Sequence, residues 1–162
     1  MCQTLFGIVR PPLLNKANRS ISQTFRCYPV DLDLYGHMNN ANYFRVAELH
    51  RWRGAHVLGN LKMFSDPKGC FFLVAQQSIS YKRPILPFQR YIVTSKVTSF
   101  DDKWLHMEHT FVQHPLDVKP NSEPTQYAAI NLKVVLKEKS GKTISPTVMF
   151  DASDIWNHIL PE

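Results

Sequence analysis

The chain has 162 residues, 44% of them hydrophobic and 20% charged. That is the size and balance of one globular domain with a real core, which excludes extended disorder and leaves little room for a second domain. The formal net charge of +6 favours anionic partners such as nucleic acid, an acidic membrane surface or a phosphate-bearing cofactor, without choosing among them. Cys2, Cys27 and Cys70 are odd in number and form no CxxC pair, which argues against a disulfide framework and fits a reducing compartment.

Residues 1–21 carry Arg10, Lys16 and Arg19 and no acid, and Pro11 and Pro12 break any amphipathic helix there. A flexible arm is the favoured reading, with an organellar transit peptide as its alternative. Residues 22–145 form the expected domain. A first strand spans 22–30, where Phe25 and Cys27 alternate with Thr24, Arg26 and Tyr28. A dense polar run follows, and then a helix from Asn40 to about Leu58. Tyr43, Val46, Ala47, His50 and Gly54 recur along it at helical spacing, with Phe44, Trp52, Ala55 and Leu58 widening the stripe. So broad a stripe predicts burial on most of the helix circumference.

Beyond Pro67 the period changes to two. Strands are expected at 70–81, 90–98, 103–113 and 127–137, with a turn at Asp101-Asp102 and a proline-interrupted loop at 114–125. Residues 146–162 make a C-terminal segment with a short helix over 151–160, capped by Asp151 or Ser153. One long helix covering a five-stranded antiparallel sheet is an α+β, hotdog-like arrangement. The uncovered edge and face of such a sheet call for a second copy. No apolar run approaches the ~20 residues that span a bilayer. His106 and His109 point to opposite faces of a strand, so no metal is expected. Neither a Gly-x-Ser-x-Gly elbow nor a glycine-rich phosphate loop occurs, and no basic-aromatic cluster suggests nucleic acid.

The polar run concentrates the chemistry. Asp31, Asp33, Gly36, His37, Asn39, Asn40 and Tyr43 stand at fixed spacing immediately before and into the helix, with Glu48 five residues further on. Burying so many polar groups together is costly unless each finds a partner, which points to a site rather than core. These seven positions resemble the opening motif of acyl-CoA thioesterases of the 4-hydroxybenzoyl-CoA type. The later stretches Tyr81-Lys-Arg-Pro, Phe100-Asp-Asp-Lys-Trp and Glu108-His-Thr-Phe are similar to the branch of thioesterase superfamily member six. The resemblance covers roughly residues 22–138. Two positions depart from relatives: Tyr35 stands where plant acyl-carrier-protein enzymes have asparagine, and Phe88-Gln89 where many members have Gly-Asp.

The resemblance implies thioester hydrolysis without metal or redox cofactor, coenzyme A being part of the substrate, with an acyl-carrier thioester as the other candidate. It places the catalytic carboxylate at Asp33, as base or nucleophile. Backbone N–H groups at Gly36 and His37 lie near the helix N-terminus, where developing negative charge is favoured. The His37 ring can orient the acid or shuttle a proton.

Asn39, Asn40, Tyr43, Glu48, Lys82 and Arg83 complete the candidate set on the substrate side, the last two for coenzyme A phosphates. Each has a plainer role: a turn for Asp31 and Asp33, a helix cap for Asn39 or Asn40, packing for Tyr43, a salt bridge to Arg51 or Arg45 for Glu48, and edge-guarding charges for Lys82 and Arg83. The expected assembly is a homodimer or a larger set of dimers, and the expected compartment is the cytoplasm, with the mitochondrion as alternative. A non-catalytic acyl-binding or protein-interaction domain is the competing reading.

Overall fold

Alternation of buried and exposed side chains fixes the sheet. Tyr91, Val93 and Ser95 are buried on one strand, Leu105, His109 and Phe111 on the next, and Ala128, Ile130, Leu132, Val134 and Leu136 on a third. The computed structural model describes residues 13–15, 20–57 and 70–147. In chain order these give β1 (Leu13–Asn15), β2 (Ser20–Arg26), α1 (Asn40–Val57), β3 (Cys70–Tyr81), β4 (Arg90–Phe100), β5 (Trp104–Gln113), β6 (Gln126–Glu138) and β7 (Thr143–Ile144). One antiparallel sheet runs in the order β1-β2-β4-β5-β6-β3, with β7 also paired to β6.

The five expected strands are present, the first ending at Arg26 rather than at residue 30 because Pro29–Asp31 forms a 3-10 turn, and two short ones join them. β1 pairs with Ser20–Ser22, so part of the expected N-terminal arm lies on the sheet edge. β7 meets Leu136 and Lys137, just past the point where β5 stops pairing with β6 at Val135. The expected helix at 151–160 lies outside the described residues. Asp101 Oδ1 accepts the N–H groups of Lys103 and Trp104, both at 2.8 Å, and so closes the β4–β5 turn.

The helix packs its single stripe on the sheet: Tyr43, Val46, Ala47, His50 and Gly54 are buried. A Cβ at Gly54 would stand 3.0 Å from Ile21 Cδ1, so the glycine makes room for that side chain between α1 and β2. Aromatic rings tie the layers together. Phe25 stacks on Tyr91 at 5.9 Å, Tyr91 on Phe111 at 6.0 Å, and Tyr43 meets Phe111 at 5.2 Å and Tyr81 at 5.3 Å. Each fully buried large side chain contributes about 1.5–3 kcal/mol.

Burial on most of the helix circumference is not what forms. Ala41, Arg45, Glu48 and Trp52 make an exposed stripe, and Trp52 is 49% exposed. The sheet reaches only one side of the helix, and the flank toward β3 stays open. β3 itself is an edge strand whose Leu73, Val74 and Tyr81 are exposed.

Candidate active site

The segment between β2 and α1 is built on Asp31. Its carboxylate is buried and accepts the Tyr28 N–H at 2.9 Å, while its carbonyl accepts the Asn39 N–H and the Asn42 side-chain amide, both at 2.8 Å. The first acid therefore locks the end of the strand to the start of the helix. Beneath it, burial and then the charge of Asp31 push the Cys27 thiol up to about 11, which leaves it protonated and unreactive.

Leu32 bridges to Met38 and closes a small loop over Asp33–His37. The Asp33 N–H donates to the His37 carbonyl at 2.8 Å, and Asp33 Oδ1 accepts the N–H groups of Tyr35 at 2.8 Å and His37 at 3.2 Å. Gly36 sits at φ 77°, a region that side chains rarely adopt, and its N–H donates to the Asp33 carbonyl at 3.2 Å. One oxygen of Asp33 is thus held by the turn. Among the described residues the other, Oδ2, takes no hydrogen bond, and the residue is half-buried. Asn39 caps α1, its Oδ1 accepting the Ala41 N–H at 2.9 Å. The free carboxylate oxygen therefore belongs to the loop that leads directly into a capped helix N-terminus.

The structure sorts the remaining candidates. The Gly36 and His37 N–H groups were expected to face developing charge near the helix; both are instead directed onto Asp33. His37 is exposed in the same loop, and Asn40 is the exposed first residue of α1. Tyr43 is core: it is 2% exposed, and burial is the main cause raising its hydroxyl to about 12, against the opposing pull of the Ile85 backbone. Lys82 Nζ donates to Gln126 Oε1 at 2.9 Å, Arg83 is exposed, and the N–H groups of both bond the Tyr127 carbonyl. They share the sheet end of the Asp33 loop, since the Met38 N–H reaches the Ile85 carbonyl at 2.9 Å.

Glu48 lies elsewhere, on the outer flank of α1, 4.0 Å from Arg51. There it lines a cavity of about 220 Å³ together with Phe44, Arg45, Ala47 and Arg51 of the helix and Gln77, Ile130 and Leu132 of the sheet. Burial lowers the Arg51 guanidinium, and Glu48 partly offsets the effect. Asp33 is not part of this lining. By helical rise, Phe44 stands about 6 Å along the axis from Asn40, so the cavity begins one turn beyond the loop.

A buried polar chain escaped the sequence reading. His50 Nδ1 is 2.7 Å from Ser95 Oγ, which in turn bonds His109 Nδ1; all three residues are buried between α1, β4 and β5. Ser95 has one proton, so it donates to one imidazole and accepts from the other. The two rings are therefore opposite tautomers, and among the described residues neither Nε2 has a partner. Burial and then Arg53 lower His50 to about 4, while burial, then Arg51 and His50, lower His109 to about 3. The available signal was three polar residues at positions that the periodicity marks as inward.

Residues 27–136 match the family model described as the Thioesterase-like superfamily. The probable thioesterase YBR096W of Saccharomyces cerevisiae is 26% identical over 129 residues, 80% of this chain and 53% of that protein. Protein THEM6 of Drosophila melanogaster is 31% identical over 87 residues, 53% of this chain and 45% of its own length. The chain spans about half the length of these curated relatives. A crystal structure of a 4-hydroxybenzoyl-CoA thioesterase variant bound to 4-hydroxybenzoyl-CoA superposes with a TM-score of 0.68 at 13% identity, covering 85% of this chain and 98% of that one. The shared fold is the hotdog.

Proposed function

Because the chain belongs to the Thioesterase-like superfamily, we propose that it hydrolyses an acyl-CoA thioester with Asp33 as the acting carboxylate. The observation that carries this reading is the division of labour within Asp33: Oδ1 holds the turn and Oδ2 is left for chemistry. Oδ2 acts on water as base or on the carbonyl as nucleophile. The Asn40 N–H opens the first turn of α1, where no intrahelical acceptor exists, and is the donor suited to the developing oxyanion. In this reading the His37 ring, exposed in the same loop, moves a proton to the departing thiolate.

The acyl group then runs along the open flank of α1 into the cavity between Phe44, Ala47, Ile130 and Leu132. Lys82 and Arg83 flank the outer end, where coenzyme A phosphates would lie. A cavity of about 220 Å³ is small for a bound acyl group, and a second copy is proposed to complete it. The edge strand β3 carries no charged residue and no proline along Cys70–Tyr81. It thus lacks the usual protection against strand pairing. Twofold pairing through β3 extends the sheet and brings the partner against the open flank of α1.

Asp33→Asn tests the assignment. An asparagine keeps an Oδ1 acceptor for the Tyr35 and His37 N–H groups, so the turn survives while the carboxylate is lost. Thiol release from acyl-CoA is expected to fall by about a hundredfold or more, with an unchanged melting temperature. Equal turnover by the variant assigns the chemistry to another group. Acyl-CoA binding without turnover by the native chain favours the non-catalytic acyl-binding reading.

A further inference from the structure

Exposed apolar side chains gather at one end of the molecule. Three loops leave that end: 27–39 after β2, 82–89 between β3 and β4, and 114–125 between β5 and β6. They are tied together there by the Phe88 N–H on the Cys27 carbonyl at 2.8 Å, the Lys82 N–H on the Tyr127 carbonyl at 2.8 Å and the His114 N–H on the Arg90 carbonyl at 3.3 Å. From these loops Val30, Leu34, Tyr35, Leu86, Phe88 and Leu116 project into solvent; Leu34 is 102%, Tyr35 85% and Leu116 76% exposed. Isolated exposed apolar residues are ordinary, but such a concentration on loop tips marks an interaction surface.

The charges around these tips select the partner. Arg26, Lys82, Arg83 and Lys119 are exposed at the same end, against the carboxylates of Asp33 and Glu123 and the buried one of Asp31. Arg90 and Asp117 neutralise each other, with Arg90 Nε 3.1 Å from Asp117 Oδ2. Cations outnumber carboxylates at this end, so a twofold contact between copies through it would bring two net-positive surfaces together. An anionic bilayer suits it on both counts, because it takes up apolar tips and attracts the surrounding cations. No helix among the described residues is long and apolar enough to cross a membrane.

We propose that the three-loop end docks on anionic lipid bilayers, Leu34, Phe88 and Leu116 entering the interface and Arg26 and Lys119 pairing with lipid headgroups. The candidate acid Asp33 lies in one of these loops, so docking holds that loop against a lipid surface. The proposal does not depend on hydrolysis. Vesicle binding reads it without turnover, and a failure here leaves the thioesterase assignment standing.

The test is co-sedimentation with vesicles of pure phosphatidylcholine and of equimolar phosphatidylcholine and phosphatidylserine, at low and high salt. Binding to the anionic vesicles is expected, weakened by salt. Arg26→Gln and Lys119→Gln should each weaken it about fivefold. Phe88→Asn and Leu116→Ser should each weaken it about tenfold; Phe88 has φ 63°, which asparagine tolerates. No binding to anionic vesicles, or binding that none of the four substitutions alters, overturns the proposal. So does dissociation of a native dimer by Phe88→Asn or Leu116→Ser in sedimentation, since these tips would then be covered by a second copy.

Discussion

Ser95 shares a single proton between two buried imidazoles, and that arrangement makes acid the weak point of the fold. His50 at about 4 and His109 at about 3 stay neutral when folded, whereas an unfolded histidine takes a proton near 6.5. The unfolded chain therefore binds more protons below about pH 6.5, and stability is complete above that value and lost as pH falls toward about 4. Melting temperatures across this window should drop steeply; a flat profile would show that the pair carries charge in the folded state. Ser95→Ala leaves both Nδ1 atoms without their shared hydroxyl, and urea unfolding should register a loss of about 1–3 kcal/mol. The inward positions of His50, Ser95 and His109 were legible from the periodicity, but not their meeting, because they sit on three distant segments and each resembles a lone polar substitution in an apolar stripe. The Asp33 loop was legible, because Asp33, Gly36 and Asn39 lie close together and each performs a local task. Which acid is buried was not legible, since Asp31 and Asp33 are equally good turn formers and the family resemblance singled out Asp33 for chemistry alone.

Strands and helix came through wherever burial imposed a period. The expected strand at 70–81 coincides with β3, and α1 begins at Asn40 as its capping residues indicated. β1 and β7 had no such signal, because three and two residues cannot display a period and owe their form to pairing with neighbours. The width of the helical stripe misled in another way: Trp52 follows the apolar pattern, yet it faces outward from a helix that the sheet covers on one side only. That open flank and the uncharged edge of β3 are proposed to meet a second copy. Ser78 is exposed on β3 opposite Asn131, on the face away from the cavity. Ser78→Lys places like charges along a twofold strand pairing, and sedimentation at micromolar concentration should shift from dimer to monomer. An unchanged dimer would move the interface to another surface.

Taken whole, the molecule separates its chemistry from its packing. The helix–sheet core is closed by aromatic rings and a neutral histidine chain, while the candidate acid, the cations of the neighbouring loops and the exposed tips share one end of the sheet. The cavity lies beside that end, along the open flank of α1. The central claim is that the free oxygen of Asp33 turns this scaffold into a hydrolase. The most direct measurement is thiol release from short, long and aromatic acyl-CoAs by the native chain and by Asp33→Asn, side by side. The account predicts turnover of at least one of them by the native chain and a loss of about a hundredfold or more in the variant. Equal rates in the two proteins, or no release from any acyl-CoA by the native chain, would contradict it.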